Sequence, residues 1–388
     1  MTPRVAVATA RYGDPWDELS VLASRLAGAL ACNAQVDVLV PAPGSAAPEL
    51  AWDGACRLLR FPASDADRKL RSAWRAMAFG VDGDEGPGAC TCPNPSTRRQ
   101  LPPFVEEQLV KAEGGDSPAL YSHLVETAYD VTLFVGLHSP VTCFGLAALP
   151  GTGRALVVPG QYDPGIALTI HGPGLARAER FLVCTETERA MMAARLGGTE
   201  RVENIGFLLG VNTVAAPEPG GRTGYSVVVV ARDWRTAESR RRYRPWAEHL
   251  ARRLPEGVEV RLVGPGAAGG PYGVPHTDSR IDAWWWMSRA VALVDPEPHR
   301  IVGREALEAM LLGVPVVVAA NGDASRDHVE NGNGGLWYRA DDELTACVNR
   351  LLDRELTSTV GEQGRAYAMA RFGDTDTYIK RLADVVLG

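Results

Sequence analysis

The stretch that decides the fold is residues 294–320, VDPEPHRIVGREALEAMLLGVPVVVAA. It predicts a strand that ends near Asp295, then a loop, a helix that runs from about Gly303 to Gly313, and a second strand after Pro315. The first turn of a helix presents backbone N–H groups without intrahelical partners and a partial positive charge, which suits a phosphate. A glycine at the helix start lets a ligand approach the backbone closely. The stretch therefore predicts an anion site near residue 303.

Three charged side chains follow in the same predicted helix. Arg304 would add a bidentate guanidinium contact to a phosphate. Glu305 and Glu308 are three residues apart and share one helix face, and a carboxylate one turn into the helix can accept two hydroxyls, as from a ribose. The alternative interpretation from the residues alone is a solvated amphipathic helix with ordinary surface charges.

Short β-branched runs alternate with longer amphipathic stretches on both sides of this segment, which is typical of parallel sheets with crossover helices. A Pro- and Gly-rich stretch at 215–224 separates two such halves. We therefore predict an α/β chain of two Rossmann-like domains, with parallel sheets that face a central cleft. The predicted domains are residues 1–215, residues 222–372, and a C-terminal helix, 373–388, that packs back on the first domain. The predicted strands cover 5–9, 36–40, 132–135, 155–158, 181–184, 225–231, 258–263, 290–294 and 314–320. The predicted helices cover 16–31, 236–254, 303–312, 341–354, 357–371 and 374–387, and residues 80–103 are predicted to form a long loop.

Composition narrows the class of protein. The 388 residues are 46% hydrophobic and 22% charged, which is globular composition and excludes a long disordered chain. Forty basic and 47 acidic residues give a net charge of −7 without a basic stripe, so we expect no nucleic-acid partner. No apolar run reaches the roughly 18–20 residues of a membrane span. Seven scattered cysteines, an odd number, favour a reduced, cytoplasmic protein. The oligomeric state stays open.

The segment ALEAMLLGVPVVVA, residues 306–319, resembles the signature of glycosyltransferase family 4, whose members are retaining enzymes of the GT-B fold. The family carries a Glu, seven residues, Glu-Ala, a short helix, Gly-x-Pro and a valine-rich strand. In this register Glu308 takes the second Glu, which in the family holds the ribose hydroxyls of the nucleotide. Gly303 takes the glycine whose backbone meets the diphosphate.

The family's first Glu, which contacts the transferred sugar, falls on Arg300, and this is a departure from the pattern. The resemblance then implies that His299 and Arg300 face the donor sugar or its phosphate. Glu297 and Glu305 also stand with seven residues between them, but out of step with the Gly-x-Pro frame.

Weaker matches extend the resemblance through the second half. SVVVVARDWR, residues 226–235, is similar to the family's strand that ends in an Arg reaching the diphosphate, and Arg232 takes that role. The family's next basic residue, a Lys, has no clear match, and Arg235 is one candidate. LVGPGAAGG, 262–270, is similar to the family's strand and glycine turn, which puts Gly264 at the donor; a plain turn is the alternative. An exposed indole among residues 284–286 can stack on a base or a sugar.

The first half resembles the family more loosely. YDVTLFVGLHSP, residues 129–140, places His138 just past a buried strand, where the family often has a polar group near the acceptor and the donor sugar. The family's Gly-Gly loop is replaced by Tyr-Gly-Asp-Pro-Trp at 12–16. Gly13 still permits close backbone approach, and Trp16 would give the acceptor pocket a different shape. Asp163 is a further candidate for the acceptor side.

The resemblance implies a metal-independent transferase that uses a nucleotide-diphosphate sugar, with UDP or GDP expected, and retains the anomeric configuration. His138, Arg232 and Arg300 would be the catalytic residues, the acceptor would be a small molecule or a glycan, and no cofactor is expected. A natural-product or cell-surface sugar pathway fits the composition. Two alternatives stay open: a coupling enzyme with a thiol or amine nucleophile, and a catalytically idle subunit that binds a nucleotide sugar. A dinucleotide oxidoreductase is disfavoured because no G-x-G-x-x-G follows the first strand.

Overall fold

A computed structural model describes residues 2–67, 69–70, 73, 101–151, 153–160, 170–209, 225–230, 247–264, 276–277, 280–297 and 302–388. These residues form two compact units. The first runs to Gly206 and also takes Asp376–Gly388, and the second runs over Phe207–Thr375. The predicted linker at 215–224, and residues 80–100 of the predicted long loop, lie outside the described residues.

The first unit is built on an eight-stranded sheet in the order β3-β4-β2-β1-β5-β6-β7-β8. All neighbouring pairs are parallel except β3 and β4, which form an antiparallel pair at one edge. The central strand β5 is buried at every residue, as expected for a β-branched strand covered on both faces. The strands are β1 Arg4–Thr9, β2 Gln35–Pro43, β3 Glu49–Asp53, β4 Cys56–Ala63, β5 Val131–Val135, β6 Arg154–Val158, β7 Arg180–Val183 and β8 Val202–Asn204.

The second unit is built on a six-stranded, wholly parallel sheet in the order β11-β10-β9-β12-β13-β14. Its core packs valines of β9 and β13 against leucines of the flanking helices. Because all strands run the same way, their carboxyl ends share one edge of the sheet. The strands are β9 Tyr225–Val230, β10 Val258–Val263, β11 His276–Thr277, β12 Ala292–Asp295, β13 Val316–Ala319 and β14 Gly335–Tyr338.

Helices flank both sheets, and five of the described helices begin at a capping side chain. Asp17 begins α1 by accepting the Ser20 N–H at 2.8 Å, so this helix starts two residues later than predicted. In the described ranges the helices are α1 Glu18–Leu30, α2 Pro103–Lys111, α3 Pro118–Glu126, α4 Pro140–Ala148, α5 His171–Arg177, α6 Glu186–Leu196, α7 Arg280–Arg289, α8 Arg304–Leu311, α9 Ala324–Gly332, α10 Asp341–Arg350, α11 Arg354–Phe372 and α12 Thr375–Leu387. Residues 247–253 are also helical.

The last helix, α12, packs within the first unit. Arg154 of β6 donates from Nη1 to the Val386 carbonyl at 2.9 Å, and Tyr378, Leu382 and Val386 are buried. Within the described ranges, no helix is both long enough and apolar enough to cross a membrane.

Candidate functional site

The start of α8 stands at the carboxyl edge of the second sheet. β12 ends at Asp295, and after a loop the chain enters α8 through Gly303, whose φ of +65° is left-handed. Gly264, with a φ of +144°, follows β10 at the same edge. Ligands of open parallel sheets bind at this edge, so the structure brings the predicted donor residues Gly303 and Gly264 to the edge where a nucleotide is expected.

Gly303 is required by its surroundings as well as by its φ. A β-carbon at this position would lie 2.7 Å from Ser325 Oγ and 3.0 Å from Ser325 Cα. Real β-carbons essentially never make such contacts under 3.0 Å. The first turn of α9 therefore presses against the start of α8, and only a glycine fits between them.

All eight residues of α8 are buried, including its three charged residues. Arg304 is 2% exposed and Glu308 is 4% exposed. The alternative of a solvated amphipathic helix with surface charges is therefore wrong. Because a buried charge is costly unless it is paired, these side chains must be partnered within the protein or by a ligand.

Four side chains form what we call the charge cluster: Arg280, Arg304, Glu305 and Glu308. Arg280 of α7 pairs through Nη2 with Glu308 Oε2, and its Nη1 lies 3.7 Å from Glu305 Oε1. Arg304 Nη2 donates to Glu305 Oε1 at 2.6 Å, and its Nε lies 3.9 Å from Glu308 Oε1. Two guanidinium groups thus face two carboxylates, and their charges balance.

The charge cluster changes the predicted role of Arg304. Its guanidinium is buried and bonded to Glu305, so it is not presented to a phosphate as the free bidentate fork that the sequence predicts. Arg280 was not among the predicted site residues. Burial lowers the pKa of Arg280, while the Glu308 carboxylate acts in the opposite direction. The signal in the sequence was only an Arg at the start of a helix, 28 residues before its partner.

The three tryptophans of α7 have three different surroundings. Trp284 Nε1 donates to Glu308 Oε2 at 3.1 Å. Trp286 stacks on Arg261, with the guanidinium carbon 3.5 Å from the ring centroid. Trp285 is 46% exposed, and Arg289 covers one of its faces at 4.1 Å. Trp284, which is partly buried, is therefore the indole that contacts the candidate ribose-binding carboxylate.

The predicted acceptor residues lie in the first unit. Gly13, with a φ of +88°, sits in the loop between β1 and α1, and a β-carbon there would meet no described atom within 4 Å. Trp16, in the same loop, is only 8% exposed, so most of its ring packs inside the protein. His138 follows β5, and its ring meets that of His171 edge-on at 5.5 Å.

Five predicted site residues lie outside the described residues, and their roles stay predictions. They are Asp163, Arg232, Arg235, His299 and Arg300. Across the ranges that the structure covers, no group of three or more His, Cys, Asp or Glu residues is arranged to hold a metal ion.

Glu188 of α6 is a buried carboxylate that the sequence patterns did not single out. It accepts the Gly160 N–H at 2.9 Å, beyond β6, and the Cys184 N–H at 2.7 Å, beyond β7. It therefore ties together the carboxyl ends of two neighbouring strands of the first sheet. Burial raises the pKa of Glu188 to about 7, against the lowering effect of the two backbone hydrogen bonds. In the sequence, Glu188 cannot be distinguished from an ordinary acidic residue in the first turn of a helix.

We expect the contribution of Glu188 to the free energy of unfolding to fall as the pH rises from 5 to 8. The native pKa of Glu188, about 7, lies above the value of roughly 4.3 in an unfolded chain, so the native state holds this proton more tightly. The stability that Glu188 contributes below the unfolded pKa is lost as the pH rises through the native pKa, and this loss is about 2.5 kcal/mol between pH 5 and pH 8. Denaturant unfolding of wild type and Glu188→Gln at four pH values measures the pH dependence that Glu188 contributes, because the amide of the variant does not ionise. Equal pH slopes in both proteins would contradict the assignment.

No protein-family model matches the chain, and no curated protein sequence matches it. Solved structures do match. Sucrose-phosphate synthase from Thermosynechococcus elongatus is similar over 99% of this chain and 98% of that chain, with a TM-score of 0.66 and 16% identity. HepE from Anabaena, in complex with UDP and glucose, is similar over 99% of both chains, with a TM-score of 0.64 and 17% identity.

WaaG, a glycosyltransferase involved in lipopolysaccharide biosynthesis, is similar over 99% of this chain and 100% of that chain, with a TM-score of 0.64 and 15% identity. The chain has the GT-B fold. The predicted fold class is confirmed, since the neighbours in structure are GT-B glycosyltransferases. The GT-B fold accounts for two separate sheets, one in each unit, in which all strand pairs but the β3–β4 edge pair are parallel. At identities of 15–17%, what the chain shares with these proteins is the fold.

Proposed function

We propose that the chain is a glycosyltransferase that moves a sugar from a nucleotide-diphosphate sugar to a small-molecule or glycan acceptor, with retention of the anomeric configuration and without a metal. The donor site lies in the second unit, and the acceptor site lies in the first. One observation carries the proposal: within a GT-B fold, α8 starts at a glycine on the carboxyl edge of the second sheet, one turn before the buried carboxylate of Glu308.

The donor site divides into a diphosphate part and a ribose part. The start of α8 supplies backbone N–H groups and a partial positive charge to the diphosphate, and the turn at Gly264 permits close approach. Glu308 accepts the ribose hydroxyls. Its Oε2 is fixed by Arg280 and Trp284, whereas Oε1 is 3.9 Å from Arg304 Nε. A carboxylate oxygen accepts two hydrogen bonds, so the ribose is bound by a carboxylate that the protein has already oriented.

The protein's main contribution to the reaction is to stabilise the departing diphosphate. The bond from the anomeric carbon to the diphosphate oxygen breaks, the acceptor oxygen bonds to the same face of the sugar, and the acceptor's hydroxyl proton passes to the departing diphosphate oxygen. Fixed N–H dipoles at the α8 start, with Arg232 and Arg300, would stabilise the growing negative charge without reorganising. His138 would orient the acceptor hydroxyl, a role that suits an imidazole near neutral pH.

We infer a cytoplasmic reaction in a natural-product or cell-surface sugar pathway. Its support is the acidic composition and the cysteines: Cys32, Cys56, Cys143, Cys184 and Cys347 are free thiols, as expected in a reducing compartment. The structure of HepE, a protein of similar fold, is a complex with UDP and glucose, which makes UDP the first nucleotide to test and GDP the second.

Thermal-shift measurements against UDP, GDP, TDP and ADP test the donor site. A nucleotide at about 100 times its Kd stabilises the native state by roughly 2.7 kcal/mol, so we expect one of the four to raise Tm clearly. Transfer from the matching nucleotide sugars is then assayed by mass, with and without EDTA, and the anomeric configuration is read by NMR. A wild-type protein that none of the four nucleotides stabilises would overturn the proposal.

A catalytically idle subunit that binds a nucleotide sugar is the second candidate. Two observations favour it: Glu308 is already engaged by two side chains of the protein, and Arg300 replaces the family's first Glu. Tight nucleotide binding without hydrolysis or transfer, for every donor and acceptor tried, would support this candidate. Thiol and amine acceptors belong in the same panel, because a product from one of them would indicate a coupling enzyme.

A further inference from the structure

The first turns of α9 contact both ends of the loop that joins β12 to α8. At the β12 end, Ser325 Oγ donates to Asp295 Oδ2 at 3.1 Å. At the α8 end, Ser325 packs against Gly303, and His328 Nε2 lies 2.8 Å from the Val302 carbonyl oxygen. One helix therefore holds both ends of the loop that leads into the candidate diphosphate site.

The protonation of His328 follows from its partners. A carbonyl oxygen only accepts, so Nε2 carries the proton and donates to Val302. Nδ1 then accepts from the Tyr367 hydroxyl of α11 at 3.0 Å. The ring is buried, which lowers the pKa of His328 to about 4. At neutral pH the imidazole is therefore uncharged, with one donor and one acceptor, and both are used.

The bond to Val302 fixes a whole peptide plane. In a trans peptide the C=O of one residue and the N–H of the next point in opposite directions. Because the Val302 carbonyl points at His328, the Gly303 N–H points away from it. Glycine populates many backbone conformations, so the close packing that demands a glycine at 303 also leaves this peptide free to flip unless something holds it.

We propose that His328 is a positioning residue that holds the 302–303 peptide so that the Gly303 N–H is presented to the diphosphate. The inference rests on the proposed function for its ligand, and on the contacts of Val302, Gly303 and Ser325 for its geometry. His328 itself touches neither substrate nor the reacting atoms. Its contribution is to remove the alternative peptide orientation before the nucleotide binds.

Two substitutions of His328 separate positioning from packing. In His328→Gln, the side-chain amide reaches the place of Nε2 and still donates to Val302. In His328→Asn, the amide ends near the place of Nδ1 and cannot reach it. Both variants are neutral, polar and close in size, so they share the loss of the ring contacts with Tyr367 and Phe372. Only the Asn variant also loses the hydrogen bond to the Val302 carbonyl oxygen.

Two measurements on the full-length protein test whether His328 positions the 302–303 peptide. Amide hydrogen exchange without nucleotide is followed in the peptide that covers residues 302–307. Affinities for UDP and uridine, or for GDP and guanosine, are measured by calorimetry and ligand-observed NMR. We expect His328→Asn to raise exchange and to weaken diphosphate binding about tenfold, the value of one lost hydrogen bond to a charged group, with nucleoside affinity unchanged. We expect His328→Gln to stay within about threefold of wild type.

The other outcomes overturn the inference in separate ways. Exchange at 302–307 that is the same in His328→Asn and wild type shows that His328 does not hold the peptide. Equal weakening of UDP and uridine in His328→Asn shows a general structural effect. A wild-type protein that binds neither UDP nor GDP overturns the proposed function and the diphosphate half of the inference, while the exchange result still decides whether His328 holds Val302.

Discussion

Glu308→Ala is expected to weaken nucleoside diphosphate binding at least tenfold and to destabilise the second unit by about 3 kcal/mol. Removing one partner of a buried ion pair costs roughly 3–5 kcal/mol because the other charge stays buried. Here that charge is Arg280, whose remaining carboxylate neighbour is Glu305, with 3.7 Å between Arg280 Nη1 and Glu305 Oε1. Glu305 offsets part of the loss, which places the expected value at the lower end. Denaturant unfolding and calorimetry with UDP measure the two effects.

The double variant Arg280→Met with Glu308→Met is the matched control. It removes both charges together, and a buried pair replaced by apolar side chains of similar volume is often neutral in stability. We therefore expect the double variant to recover most of the lost stability but none of the nucleotide affinity. If Glu308→Ala binds UDP as wild type does, Glu308 is only a structural partner of Arg280, and the ribose site is wrong.

Gly303→Ala is expected to abolish measurable diphosphate binding and to lower Tm by several degrees. The substitution places a side chain at a φ of +65°, which costs roughly 1–2 kcal/mol. It also puts a β-carbon 2.7 Å from Ser325 Oγ and 3.0 Å from the Ser325 backbone. Overpacking of this kind costs typically 1–3 kcal/mol and shifts the backbone, here at the proposed diphosphate contact.

Gly313→Ala offers a control at the other end of α8. Its φ is +70°, almost the same as that of Gly303, but the nearest atom to an added β-carbon is 3.9 Å away. We expect the alanine at 313 to cost only the left-handed strain, about 1 kcal/mol, with nucleotide affinity unchanged. Similar losses of affinity in the two variants would mean that α8 responds as a whole, and the argument for its glycine start would fail.

The parallel strands were predictable from the sequence because burial on both faces produces continuous β-branched runs. The residues 258–263 are predicted and found as a strand, and the predicted strand over 132–135 begins one residue earlier, at Val131. The β3–β4 pair was missed. Its first strand, ELAWD, is short and largely exposed, with Trp52 65% accessible. Edge strands carry little hydrophobic signal, and only the Asp-Gly at 53–54 marked a turn there.

The candidate site was predictable only in part, because a sequence shows local features but not the tertiary contacts between distant residues. Helix starts and glycines are local features, so Gly303 and Glu308 could be named from sequence. Partners are set by tertiary packing: Arg280 meets Glu308 from another helix, and His328 meets Val302 across 26 residues. The burial of α8 could not be predicted either. A helix face that carries Arg and Glu is typical of a solvent-exposed surface, and only the tertiary structure shows that neighbouring helices cover it.

The place of α12 has a consequence for how the protein is made. Its buried face, with Tyr378, Leu382 and Val386, completes the first unit, although it follows the whole second unit along the chain. Domains generally fold during synthesis, the amino-terminal one first. Here the amino-terminal unit must wait, with part of its apolar surface uncovered, until the whole second unit has been translated. During that interval the apolar surface that α12 later covers is exposed, and exposed apolar surface makes an incomplete chain prone to aggregation.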